Sequence, residues 1–225
     1  MKERPILFQG AMVRAILNGS KTQTRRLVKP QPIYDHMFVE DGMVITTKKC
    51  TTSIHSPLVS MLCPHGERGD QLWVRETFGY VSPDETRRPH SECNIEYRAD
   101  LPLGCTDRPG QWPADECVGD PERPRWRPSI HMPRAASRIQ LEIVSVRVER
   151  LNSCSEADAI AEGVPGDLGM RGHDDLMVHV VMERLNVSAP VARYVLLWDS
   201  INSERPNNWN CNPYVWVVEF KRIKP

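Results

Sequence analysis

The stretch from Arg138 to Leu151 limits the possible folds more than any other, because its side chains alternate between apolar and polar along its length. A period of two belongs to a strand with two different faces. Ile139, Leu141 and Ile143 point one way, then Val144, Val146 and Val148 point the other. The phase changes at Val144, which requires a bulge or bend of the kind that lets a small barrel close. A second run, Tyr214-Val215-Trp216-Val217-Val218-Glu219-Phe220, is dense in β-branched and aromatic residues and predicts a C-terminal strand with Lys221 and Arg222 at its edge.

Other elements fall around these two. Pro5 to Phe8 reads as a short strand, and residues 11–18 as a helix stopped by Gly19, the residue that turns a helix end cheaply. Residues 37–47 predict a hairpin turning at Glu40-Asp41-Gly42. The turn Gly66 to Asp70 launches a strand with Leu72, Val74 and Glu76 on one face and Trp73, Arg75 and Thr77 on the other. Ser153-x-x-Glu156 has the form of a capping box, opening a helix to about Glu162 with Gly163 as its stop. Residues 173–186 and 189–201 carry helical spacing, in which Leu197 and Trp198 read as core. Residues 79–127 are rich in proline and charge and read as an irregular insertion, with a strand at Asn94 to Arg98. One elaborated domain spanning 1–225 is the resulting expectation, of α+β class and dominated by antiparallel strands.

Charge narrows the function. The 29 basic residues balance the 29 acidic ones, which argues against a broad cationic face for duplex DNA and favours a small ligand or a local basic cleft. No apolar run approaches the roughly 20 residues that span a bilayer, and the N-terminus carries no signal-peptide pattern, so no membrane partner and a cytoplasmic location are expected. The seven cysteines then read as reduced thiols. Cys63-Pro64-His65, with Cys50, Cys93, Cys105 and Cys117, supplies zinc-ligand types but no C-x-x-C pair, so neither metal nor cofactor is predicted.

Chemistry concentrates in Lys21-Thr22-Gln23-Thr24-Arg25-Arg26, entered through Asn18-Gly19-Ser20. On spacing alone this reads as a solvated basic loop. If Lys21 and Thr24 act together, the segment is turn-like, since residues three apart share a face only in a helical turn. Thr24 is then a hydroxyl nucleophile needing a base, and Lys21 an amine that burial and the neighbouring Arg25 and Arg26 would hold partly neutral. Glu162, at the end of its helix, sits where the dipole disfavours an anion, a small conflict that hints at function.

Gly19, Lys21, Thr22, Thr24 and Arg26 resemble the G-x-K-T-x-T-x-R signature of the ASCH domain, a branch of the PUA-like superfamily. Ser153 to Gly163 and the C-terminal strand match in order. The length, with Trp73 to Thr77 and Pro128 to Pro133, is most similar to longer members from bacteriophages and prophages. The resemblance implies a small, mostly antiparallel β-barrel with flanking helices, acting in a bacterial host cell. Some bacterial ASCH proteins are amidohydrolases that remove acetate from N4-acetylcytidine, and by motif their catalytic roles fall on Lys21, Thr24 and Glu162. Thr22, Arg25, Arg26, Trp73, Arg75, Glu76, His131 and Arg134 are the candidates for substrate binding, with Glu76 as a possible second carboxylate or a plain surface residue. The runner-up is a non-catalytic reader of RNA or modified nucleotides, in which Trp73 and Trp126 stack a base and Arg26, Arg75 and Arg134 take phosphate. Plain burial is the competing account of each tryptophan.

Overall fold

The computed structural model describes residues 1–29, 31, 37–40, 43–47, 58–82, 90–101, 109–110, 125–164, 173–202 and 207–223. They form an α+β structure whose centre is a five-stranded sheet. Its strands are β1 (Glu3–Leu7), β2 (Gln23–Leu27), β6 (Gln71–Arg75), β9 (Gln140–Arg150) and β10 (Tyr214–Ile223), in the order β1-β6-β9-β10-β2. β1 runs parallel to β6, and the other three pairings are antiparallel. Pro5 is tolerated in β1 because that strand is an edge. Among the described residues no ladder joins β1 to β2, so the sheet is open where a closed barrel was expected. One side chain spans the gap instead: Arg26 Nη2 donates to the Leu7 carbonyl at 2.7 Å.

The phase change at Val144 is a bulge. Glu219 of β10 pairs with Ser145 and Phe220 with Ile143, which leaves Val144 opposite nothing and 41% exposed. The extra residue restores the phase, so Ile139, Leu141, Ile143, Val146 and Val148 all serve one core. That core lies under helix α1 (Gly10–Leu17), which contributes Val13 and Ile16, and includes Phe8, Leu72, Val74, Trp216, Val218 and Phe220. Fully burying a side chain of this size contributes about 1.5–3 kcal/mol, which fixes the sheet's register against a one-residue slip.

Three helices cover the opposite face. They are α2 (Glu156–Ala161), α3 (His173–Leu185) and α4 (Ala189–Ile201), and their core includes Val191, Tyr194, Val195 and Trp198 against Val215 and Val217. The capping box of α2 differs from the sequence expectation. Ser155, not Ser153, is the N-cap: its hydroxyl accepts from the Asp158 N–H while the Asp158 carboxylate accepts from the Ser155 N–H. Ser153 closes a short 3-10 turn instead, because burying Leu151 and Cys154 delays the helix by two residues.

The hairpin expected at residues 37–47 is present. β3 (Met37–Glu40) pairs antiparallel with β4 (Met43–Thr47), which pairs with β5 (Leu58–Leu62), while the turn at Asp41 and Gly42 lies outside the described residues. The described part of 79–127 is more regular than expected. β7 (Phe78–Val81) pairs antiparallel with β8 (Asn94–Tyr97), and Phe78 packs with Met132 and Ala136 in a small third core. Arg138 fastens this lobe to the main sheet, holding Glu76 at 2.9 and 3.0 Å and Asp100 at 2.7 Å beneath the Tyr97 ring.

Candidate functional site

Gly19 has φ +83°, and the chain turns there out of α1. The motif that follows is not a loop. The Lys21 N–H donates to Ala15 O, the Thr22 N–H to Ala161 O, and from Gln23 the chain is strand β2. The strand wins because both of its faces find partners. Val28, just beyond β2, joins the core under α1, and Leu27 packs against the core under the helices. Thr24 and Arg26 therefore project with Val28, and Gln23 and Arg25 with Leu27.

Lys21 and Glu162, 141 positions apart in sequence, meet. Lys21 Nζ lies 2.9 Å from Glu162 Oε2 and donates to the Glu162 main-chain oxygen at 2.7 Å. The Lys21 side chain is 0% exposed and that of Glu162 4%. The amine also stands 5.5 Å from the centre of the Phe8 ring. One cation thus answers both the carboxylate and the negative end of α2, which resolves the dipole conflict at Glu162. Burial lowers the Lys21 pKa, against the pull of Glu162 and with a further push from Arg26 and Arg25. Gly163, φ +78°, is what lets the backbone pass: a Cβ there would lie 2.7 Å from Lys21 Cβ and 2.8 Å from Ala15 Cβ.

Arg25 ties this pair to a wider network. Its fully buried guanidinium reaches Glu162 at 3.4 Å, Glu149 at 3.3 Å and Asp158 at 3.3 Å, over the Tyr194 ring. Burial pushes the Asp158 carboxyl upward, but hydrogen bonds from Ser155 and the charge of Arg25 outweigh it and hold the pKa at about 2. A depressed carboxylate stabilises the fold above its unfolded value and loses that contribution as pH falls. We therefore expect about 2 kcal/mol of stability, fully present above about pH 4, to disappear as the pH approaches 2. Urea titrations of wild type and Asp158→Asn across that window check this, since the variant should lack the decline.

A cavity of about 350 Å³ opens beside this network. Four consecutive residues of β2, Thr24 to Leu27, line it, with Met12, Pro64 and His65 on one side and Tyr194, Trp198 and Asn202 of the α4 end on the other. Thr24 is the member of the expected triad that lines this cavity, while Lys21 and Glu162 lie sealed away from it. Burial and the nearby Arg26 and Arg4 bring His65 down to about 4, so it faces the cavity as a neutral hydrogen-bonding ring.

Of the other expected binding residues, Arg25 and Arg26 line the cavity, while Thr22 is exposed just before the strand and does not line it. Trp73, Arg75, Glu76, His131 and Arg134 do not line it. Trp73 and Arg75 lie on β6, toward the other end of the sheet, where Arg75 stacks on Trp73 and binds the Ile130 carbonyl. Arg134 pairs with Glu3 of β1. Glu76 is 2% exposed and is neutralised by Arg138, so it is neither a surface residue nor a cleft carboxylate. Trp126 sits on the far lobe beside Arg98 and Gly79. Sequence reasoning missed Tyr194 and His65 as cavity walls, and Leu197 and Trp198, read there as core, line the cavity too.

Cys63, Cys93, Cys154 and Cys211 are free thiols, and Cys50, Cys105 and Cys117 lie outside the described residues. Burial pushes the Cys154 thiol up to about 12, so it is no nucleophile. Among the described residues no cluster of His, Cys, Asp and Glu could hold a metal ion, and no helix is long and apolar enough to cross a membrane. Comparison with family models, curated proteins and solved structures returns no match.

Proposed function

We propose that this protein is an amidohydrolase of the ASCH type, on an elaborated PUA-like scaffold, and that it cleaves the N-acyl amide of an acylated nucleoside or base such as N4-acetylcytidine. The observation that carries the reading is the sealed Lys21–Glu162 pair, joined through Arg25 to a cavity lined by Thr24. Burying an ammonium with a carboxylate costs several kcal/mol per ion, and apolar residues of equal volume are often as good or better for stability. An amine kept dry and easily neutralised serves a proton transfer. The cavity lies at the small end of the roughly 300–1,000 Å³ typical of small-molecule sites, which suits one nucleoside better than a long polyanion.

In this reading neutral Lys21 takes the Thr24 hydroxyl proton by way of a bridging water, because the extended backbone leaves the two side chains without a direct hydrogen bond, as Thr24 Oγ1 attacks the amide carbonyl carbon. The new ammonium is stabilised by Glu162. The C–N bond then breaks, and the proton held by Lys21 returns through the same water to the leaving amine. Water hydrolyses the Thr24 ester by the same route, releasing the carboxylic acid and restoring the hydroxyl. Wild-type protein should release free acetate from N4-acetylcytidine at neutral pH, measured by coupled assay. Binding of such nucleosides without release, across a range of acyl groups, would favour the reader of modified nucleotides instead.

A further inference from the structure

A cavity lined by four consecutive strand residues takes in more than one face of that strand, and here it takes in the strand's edge. β2 ends the five-stranded sheet. Its hydrogen bonds to β10 fall on the even-numbered residues: Phe220 N–H donates to Thr22 O, and Val28 N–H to Tyr214 O. Antiparallel pairing alternates, so the N–H and C=O of Thr24 and Arg26 turn inward to β10, and those of Gln23, Arg25 and Leu27 turn outward. The outer edge is already used at its beginning, where Lys21 bridges to Glu162 and Thr22 donates to Ala161. Beyond that rung the outward N–H and C=O of Arg25 and Leu27 have no partner among the described residues, and both residues line the cavity between Tyr194 and Trp198 on one wall and Met12 and His65 on the other.

The N–H and C=O of one extended residue point the same way, side by side. They offer a donor and an acceptor to any flat group carrying the complementary couple, and an edge strand presents them without rearrangement. We infer that the open edge of β2 reads the hydrogen-bonding edge of the ligand's base: the Arg25 backbone carbonyl accepts from the exocyclic N–H of an acylated cytosine, and the Arg25 N–H donates to the adjacent ring nitrogen, while the ring lies flat between the two walls. The Leu27 N–H, two residues and so about 7 Å further along the edge, lies beyond the base and donates to the ribose. Side chains that would read such an edge are not needed, which fits a cavity whose best-placed cation, Arg25, is consumed by three carboxylates. The ligand named here rests on the acyl-nucleoside reading; the open edge does not.

Hydrogen exchange of individual amides, followed by NMR, tests this on the full-length protein. The ligands are cytidine with wild type, N4-acetylcytidine with Thr24→Ala, which preserves the acyl group, and N4-acetyl-N4-methylcytidine, which lacks the exocyclic N–H. At about ten times the Kd, the Arg25 and Leu27 amides should exchange about tenfold more slowly, while the amides at positions 24 and 26, already bonded to β10, should not change in either protein. The N-methylated analogue should bind at least about tenfold more weakly. Protection of these amides without turnover would remove the hydrolase and keep the reading edge. Turnover with the Arg25 and Leu27 amides unprotected, or undiminished binding of the methylated analogue, would overturn the reading edge and keep the hydrolase. Failure of all three ligands to bind would overturn the reading edge as well.

Discussion

Lys21→Met will lower turnover of an acylated nucleoside by about 10²–10⁴-fold, the usual worth of a positioned base. The loss should appear in kcat with KM nearly unchanged, because Lys21 is sealed behind the cavity rather than lining it. The stability cost is smaller than for a simple buried pair, where stripping one partner costs about 3–5 kcal/mol. Glu162 keeps Arg25 at 3.4 Å, so its carboxylate is not stranded, although its main-chain oxygen loses a donor. About 1–3 kcal/mol is the expected loss by urea denaturation. The pH dependence separates catalysis from architecture. Since burial lowers the Lys21 pKa and the neutral amine is the working form, the wild-type rate should rise with pH through that lowered value and then level off. The variant's residual rate should lack that limb. A variant that unfolds more easily but retains wild-type kcat below its melting range would make the pair purely structural.

The largest effect on stability is expected from Gly163→Ala. The residue sits at φ +78°, where an L side chain is strained, and its added Cβ would meet two other Cβ atoms at 2.7 and 2.8 Å. Neither obstacle is the flexible end of a side chain, so the backbone of Lys21 or of α1 has to move. Strain and overpacking together should remove about 2–4 kcal/mol. The same shift displaces Lys21 from Glu162, so activity should fall even at temperatures where the variant is folded. Denaturant titration and the acetate assay on one preparation measure both. Wild-type stability would mean that the crossing of α2 over Lys21 is looser than these distances imply.

How much of this was legible beforehand depended on whether the signal was local. The bulge at Val144 could be read because a one-residue phase change in an alternating strand has few other causes. Glu162 stood out because an anion at a helix C-terminus conflicts with the dipole, and the motif resemblance, not any local spacing, set it to orient Lys21 across 141 positions. The cap of α2 is displaced from its expected place. The expected box of Ser153 with Glu156 lies two residues early, because the burial of Leu151 and Cys154, a tertiary matter, moves the cap to Ser155 with Asp158. Glu76 was misjudged because its partner Arg138 lies 62 residues away. Trp73, Arg75, His131 and Arg134 carry suitable chemistry, but strand order puts β6 three places from β2 in the sheet. Tyr194 and Trp198 show the opposite limit: an apolar helical stripe marks burial and cannot say whether a cavity opens beside it.

The central claim is that Thr24 becomes acylated during the reaction. Mixing enzyme with excess N4-acetylcytidine, quenching in acid within the first turnovers and weighing the intact protein tests it most directly, with peptide fragmentation to place the group. The expected result is a mass gain of one acetyl group located on Thr24, absent from Thr24→Ala, which should also release no acetate above background. Steady acetate release by Thr24→Ala at the wild-type rate, or an acetyl group found on another residue in the first turnovers, would contradict it.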